Sequence, residues 1–187
     1  MRETTKKLTL SAMFLALGLV LPFLTGQIPQ IGSMLLPMHI PVFLCGLICG
    51  WKYGVVIGFL LPLMRSMIFG MPNTLSAIAM AFELATYGLV SGLLYEISRW
   101  KCVVALYRSI IAAMLAGRAV WGIFQIILLG ITGSRFTWKM FIAGAFFNAI
   151  PGIIIQLILL PAIMLALHRT GLVPFHKTQT ASETDRH

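Results

Sequence analysis

Long apolar segments dominate this chain, and three of them each contain a single charged side chain. The three are Arg65 in residues 53–69, Glu83 in residues 76–94 and Arg118 in residues 110–129. Segments of this length are typical of helices that cross a lipid bilayer, which need roughly 20 apolar residues each. A charge near the bilayer centre costs at least ~2.5–3.5 kcal/mol, so such a residue normally faces a partner or a water-filled cavity. These three side chains therefore indicate where a functional site is expected.

The composition predicts an all-α integral membrane protein built as one six-helix bundle. Hydrophobic residues make up 59% of the 187 residues and charged residues 10%, which leaves no room for a soluble domain beside the helices. We expect a single membrane domain over residues 1–172 and a disordered, polar cytoplasmic tail over residues 173–187. The predicted spans are about 8–25, 38–50, 54–70, 74–96, 106–130 and 138–167.

The net charge of +9 follows the predicted topology. With both termini in the cytoplasm, most of the 14 Lys and Arg residues fall in inner segments. The predicted outer loops carry only Arg135 and Lys139, which is the positive-inside bias of membrane proteins. The basic character is thereby explained without a nucleic-acid partner. The expected location is the plasma membrane of a prokaryotic type of cell.

Several polar side chains are predicted to lie at related depths in the outer half of the bundle. The helical rise of about 1.5 Å per residue gives this depth from the position of each residue in its span. Residues that follow at i+3, i+4 or i+7 share the same helix face and extend the set. The full set of candidate substrate-binding residues is His39, Arg65, Glu83, Tyr87, Arg118, Trp121, Gln125 and Asn148.

Two interpretations of this polar set are open. In the first, it lines a solute cavity in which Arg118 or Arg65 holds a carboxylate, the amides of Gln125 and Asn148 donate hydrogen bonds, and Trp121 forms an apolar wall. In the second, the set is a structural network in which Glu83 and Arg118 form a buried ion pair and the amides hold helices together. The surplus of one positive charge favours an anionic solute. The irregular stretch 26–36 is either a lid over this cavity or an ordinary loop.

Catalytic, metal and cofactor sites are not expected. The chain has no H-E-x-x-H, G-x-S-x-G or Walker motif, and no aspartate inside a predicted span. Cys45, Cys49 and Cys102 lack the spacing of zinc or redox motifs, and the first two are expected to pack beside glycines. The protein is therefore predicted not to be an enzyme, and the chain cannot hydrolyse ATP itself.

Four short segments carry a resemblance to a known family. They are Ala12-x-x-x-Ala16 in the first span, Leu36-Pro37-Met38-His39-Ile40-Pro41 before the second, residues 51–58 leading the third and residues 80–88 in the fourth. With the size and the predicted topology, they make residues 4–170 resemble the substrate-binding S components of energy-coupling factor (ECF) vitamin transporters. Ala12 and Ala16 form a small-x-x-x-small motif, which allows close approach of a second helix.

The resemblance implies partners and a substrate class. The partners would be a membrane-embedded coupling subunit, which docks on Ala12 and Ala16, and two cytosolic ATPase subunits. The substrate would be a small water-soluble vitamin, captured by spans four to six from the outside. The surplus positive charge and the amide donors make the pantothenate type the best match, with niacin, folate, another anionic vitamin or precursor, and a pyridoxine-type compound as alternatives.

Two functions of other classes remain open. The first is a stand-alone secondary transporter in which Glu83 exchanges protons while Arg118 binds a small organic anion. The second is a membrane sensor or assembly protein in which the ion pair is purely structural.

Overall fold

Six α-helices account for nearly all of the chain that our computed structural model describes, which is residues 2–24, 37–98, 102–131 and 150–169. They are α1 (Arg2–Leu24), α2 (His39–Cys49), α3 (Trp51–Phe69), α4 (Thr74–Ile97), α5 (Val103–Ile131) and α6 (Ile150–Arg169). No strand occurs within these ranges. The prediction of an all-helical fold is therefore confirmed for the described part of the chain.

Five of the described helices, α1 and α3 to α6, are long and apolar enough to cross a membrane. The exception is α2, which has 11 residues. At 1.5 Å per residue it rises about 16 Å, roughly half of the hydrocarbon thickness. The predicted second span is thus a short apolar helix. Almost every residue of α2 is buried by its neighbours, which fits a helix inside the bundle.

Three predicted helix starts differ from the structure by at least three residues. The first helix begins at Arg2 instead of residue 8, because the first turn carries Glu3, whose carboxylate lies 3.2 Å from Lys6 Nζ. An acidic residue in the first turn and an i, i+3 ion pair both favour helix at the polar end. The third helix begins at residue 51 instead of 54, and the fifth begins at residue 103 instead of 106. The predicted sixth span start, the stretch 26–36 and the tail 173–187 lie outside the described residues.

The connection between α3 and α4 is short because both helix ends are capped locally. Gly70 follows α3 in the left-handed region, with φ 67°, and its amide donates to Ser66 O at 2.9 Å. Glycine reaches this conformation without the penalty that a Cβ would bring. Asn73 precedes α4, and its side chain accepts a hydrogen bond from the Leu75 amide at 3.4 Å. The two helices therefore pack as an antiparallel pair.

Glycines bring the backbones of α2, α3 and α4 into direct contact. A Cβ placed on Gly46 would lie 2.7 Å from the carbonyl oxygen of Gly88, and one on Gly54 would lie 2.7 Å from the Cα of Gly46. Gly58 faces the Leu84 carbonyl in the same way. Small residues are how membrane helices approach closely, since lipid provides no hydrophobic force between them. This glycine contact fixes the position of α4 in the bundle.

α1 packs on the bundle with one face and leaves the other uncovered. On the packed face, the Cys45 thiol donates to Ser11 Oγ at 3.5 Å, and Gly18 lies against the side chain of Leu61. Cys45 is fully buried, as expected for a small packing residue. Ala12 and Ala16 lie on the exposed face. They are therefore accessible on the isolated chain.

The glycine contact gives a first prediction. We expect Gly88→Ala to destabilise the fold by about 1–3 kcal/mol or more, because the new methyl group meets the backbone of Gly54, which cannot rotate away. The measurement is thermal unfolding of the purified protein in detergent. Gly130→Ala is the matched control, since no atom of the described residues lies within 4 Å of its Cβ position. Equal stability of the two variants would contradict the described contact.

Candidate functional site

The carboxylate of Glu83 is the centre of a buried polar cluster. Glu83 lies on α4 and is 2% exposed. Three side chains approach its Oε1 atom: Tyr87 Oη donates to it at 2.7 Å, Arg118 Nη1 lies 3.1 Å away and His39 Nε2 lies 3.9 Å away. These groups come from α2, α4 and α5. The structure therefore brings together four of the predicted site residues, which we call the Glu83 cluster.

Local helix geometry places each member of the Glu83 cluster. Glu83 and Tyr87 share a face of α4 because they are four residues apart. His39 is the first residue of α2, so that its ring enters the bundle where this short helix begins. The ring of Phe43, one turn further along α2, stacks on Tyr87 with centroids 5.0 Å apart and an angle of 22°. α2 thus holds the tyrosine in place from one side.

Gly117 holds the space for Tyr87 on the other side. A Cβ on Gly117 would collide with the ring of Tyr87, and even its distance to Cζ would be only 3.0 Å. The glycine therefore lets the tyrosine lie flat against α5, next to the arginine that follows in the sequence. Sequence reasoning missed Gly117 and Phe43. The only signal for Gly117 was a glycine beside a buried charge in an otherwise apolar helix.

The Glu83–Arg118 contact is a buried ion pair in which the two charges cancel. Both side chains are almost completely inaccessible, and attraction at 3.1 Å is strong where water is excluded. Arg118 Nη2 is also buried and makes no hydrogen bond among the described residues. Because a buried donor without an acceptor is costly, this nitrogen marks a place for a further acceptor.

Arg65 lies apart from the Glu83 cluster. Its Nη1 donates to the carbonyl oxygen of Leu19 at 3.0 Å, and its guanidinium carbon lies 5.5 Å from the Phe23 ring centroid and 5.6 Å from that of Phe69. Arg65 thereby joins α1 to α3. The sequence left open which arginine pairs with Glu83, and the structure assigns Arg118. The surplus positive charge expected at one site is thus carried by Arg65 at another.

The remaining predicted site residues flank the Glu83 cluster or lie outside the residues that the structure describes. Trp121 and Gln125 follow Arg118 by one and two turns on α5, and both are half-buried. Gln156 on α6 is 1% exposed and shows that this helix too carries a polar side chain inward. Asn148 lies outside the described residues. Within the described part of the chain, no group of three or more metal-binding side chains occurs.

Comparison with known proteins gives one match. The family model of the ECF transporter substrate-specific component matches residues 6–164, which include the Glu83 cluster and at least part of every described helix. No curated protein and no solved structure matches the chain. The resemblance found in the sequence is therefore confirmed at the level of the family.

The ion pair gives a second prediction. We expect Glu83→Gln to lower stability by about 3–5 kcal/mol, because it leaves the Arg118 charge buried without a counter-ion. Adding Arg118→Met should restore most of the loss, since an apolar pair of similar volume needs no partner. Thermal unfolding in detergent measures both effects. Glu96→Gln, an exposed carboxylate on the same helix, is the control and should change little. If the double variant lost as much stability as the two single variants together, the result would argue against the ion pair.

Proposed function

We propose that this protein captures a small carboxylate-bearing vitamin or vitamin precursor at the Glu83 cluster. The premise is that the chain belongs to the family of substrate-specific components of ECF transporters. The family and the apolar helices make this a multi-pass plasma-membrane protein that takes part in transport. Family membership implies partnership with a coupling transmembrane subunit and ATPase subunits. We further propose that the chain itself has no enzymatic activity and that the partners supply the energy.

The observation that supports the substrate class is the second nitrogen of Arg118. One nitrogen of the guanidinium group is engaged by Glu83, and the other is a buried donor without an acceptor among the described residues. Carboxylates are the preferred partners of arginine because their geometry matches that of the guanidinium group. A ligand carboxylate at Nη2 would satisfy the donor while Glu83 keeps the arginine oriented.

Pantothenate is our best candidate within this class. Besides a carboxylate it carries an amide and two hydroxyl groups, and the site offers matching partners. The cluster members His39 and Tyr87 lie beside Glu83, and Gln125 lies two turns along the helix from Arg118. We propose Asn148 as a further amide partner, Trp121 as the apolar wall and Arg65 as a second positive charge near the outer end. Niacin, folate and a pyridoxine-type compound remain the competing ligands.

The proposed architecture has six spans, both termini in the cytoplasm and the binding site on the outer side. The charge distribution supports this orientation. The exposed positions of Ala12 and Ala16 support docking of the coupling subunit on α1. Two cytosolic ATPases and a prokaryotic type of cell complete the proposal.

A stand-alone proton-coupled transporter is the second candidate. Its support is the placement of Glu83 and His39, two titratable groups 3.9 Å apart and both buried. This alternative requires that the purified chain alone transports substrate into liposomes when a pH gradient is applied. The ECF proposal requires that such liposomes stay inactive until the coupling and ATPase subunits and ATP are added.

Ligand binding gives the third prediction. We expect pantothenate to raise the melting temperature of the purified chain, since a ligand at 100 times its dissociation constant adds about 2.7 kcal/mol. Arg118→Lys should weaken binding about tenfold or more, because lysine keeps the charge opposite Glu83 but lacks the second forked nitrogen. Arg108→Lys, at an exposed position of the same helix, is the control. A panel of vitamins without any shift would count against the proposed site.

Docking on α1 gives the fourth prediction. We expect Ala12→Leu or Ala16→Leu to abolish uptake by the reconstituted complex while leaving ligand binding intact, since the larger side chains prevent close helix approach. The measurements are uptake of labelled ligand into liposomes and affinity for the isolated chain. Ala119→Leu places the same change on the exposed face of α5 and should have no effect. Unchanged uptake in both α1 variants would exclude this docking face.

A further inference from the structure

A cavity lies at the end of the bundle away from the Glu83 cluster. It has a volume of about 330 Å³ and is bounded by the first turns of α1 and α3 and the last turns of α2 and α4. The polar and aromatic groups in its lining are Lys7, Trp51, Lys52, Tyr53, Tyr95 and Glu96. Tyr95 follows Glu83 by 12 residues on α4, or about 18 Å along the helix axis. The cavity is therefore separate from the proposed substrate site.

The first turn of α3 forms one wall of this cavity and offers free amide groups. Gly50 precedes the helix with φ 102°, and no side chain of the described ranges caps the helix start. The first backbone hydrogen bond runs from the Gly54 amide to the Gly50 carbonyl oxygen, at 3.1 Å. The amides of the three residues between them thus have no acceptor within the helix. The start of a helix of 19 residues also carries a partial positive charge, which favours an anion.

Side-chain charges in the cavity add to the positive end of α3. Lys7 and Lys52 bring two ammonium groups against the single carboxylate of Glu96, and Lys52 Nζ lies 5.6 Å from the Trp51 ring centroid. Tyr95, 3% exposed, forms part of the wall, and its hydroxyl has no hydrogen-bond partner among the described residues. The lining therefore combines a net positive charge with backbone donors, and one of its residues carries a buried hydroxyl without a partner among the described residues.

We propose that this cavity binds a phosphate group, supplied by the headgroup of an anionic lipid. Phosphate is the anion most readily bound by a site that combines the start of a helix with lysine side chains. The lining aromatic residues Trp51, Tyr53 and Tyr95 are of the type that lies at the membrane interface, which is the depth of lipid phosphates. The cavity volume is at the lower end of the range of small-ligand sites and suits a headgroup. Soluble phosphate is the other possible source of the same chemistry.

The test compares three probes on the full chain purified in a neutral detergent. The probes are short-chain phosphatidylglycerol, inorganic phosphate and short-chain diacylglycerol, which lacks phosphate, and the readout is the ligand-dependent shift of melting temperature. We expect phosphatidylglycerol to shift it and diacylglycerol not to. Equal shifts with these two lipids would overturn the proposal. If inorganic phosphate binds as tightly as phosphatidylglycerol, the phosphate site stands and its ligand is the soluble ion.

Charge variants test whether the cavity is where the phosphate binds. We expect Lys7→Gln and Lys52→Gln each to weaken phosphatidylglycerol binding about tenfold, the equivalent of one charged hydrogen bond. Lys6→Gln is the matched control, because Lys6 pairs with Glu3 and does not line the cavity. Glu96→Gln should strengthen binding, since it removes the one anion of the lining. Weaker binding in Glu96→Gln, or equal effects of Lys6→Gln and Lys7→Gln, would overturn the proposal.

Discussion

A carboxylate inside a membrane bundle needs a compensating partner, and the arrangement around Glu83 follows from this requirement. Glu83 is almost completely buried, so its charge is stabilised by Arg118 and by the hydroxyl of Tyr87 instead of by water. Arg118 reaches Glu83 only if α4 and α5 lie close together. Gly117 permits that approach, because any side chain there would displace the ring of Tyr87. One buried charge thus accounts for a glycine, a tyrosine and an arginine at their positions.

The same helix, α4, is also held in place from its other side. Gly88 follows Tyr87 directly, and its backbone touches that of Gly54 on α3. A side chain at either glycine would push α3 and α4 apart. The ion pair on the α5 side and the glycine contact on the α3 side therefore lie within two turns of each other on α4. Because protein interiors are close-packed, a shift at one of these contacts would be felt at the other.

Much of this arrangement could be predicted from the sequence, and the physical reason differs from one residue to another. The long apolar segments predicted the helices, since lipid leaves few alternatives to a helix. The rule that a charge in the membrane needs a partner identified Glu83 and Arg118, and the i+4 spacing added Tyr87. The sequence did not reveal that Arg65 bonds to Leu19 instead of Glu83, because that depends on how α1 crosses α3. Its only signal for Gly117 was a glycine next to a charged residue, and the role of this glycine is set by a ring on another helix.

The cancellation of charge in the Glu83 cluster bears on how an anionic ligand would be selected. A cluster with a net positive charge attracts any anion over a distance, whereas an internally neutral pair attracts few. Selection of a ligand by Arg118 would then depend on the direction in which Nη2 of Arg118 donates and on the other hydrogen bonds that the ligand makes. A site whose buried polar groups each need a ligand partner rejects an analogue that lacks one of those partners. The donor left without an acceptor in that complex is costly. A small vitamin with a carboxylate, an amide and hydroxyls is the kind of ligand that such a site can distinguish from simpler acids.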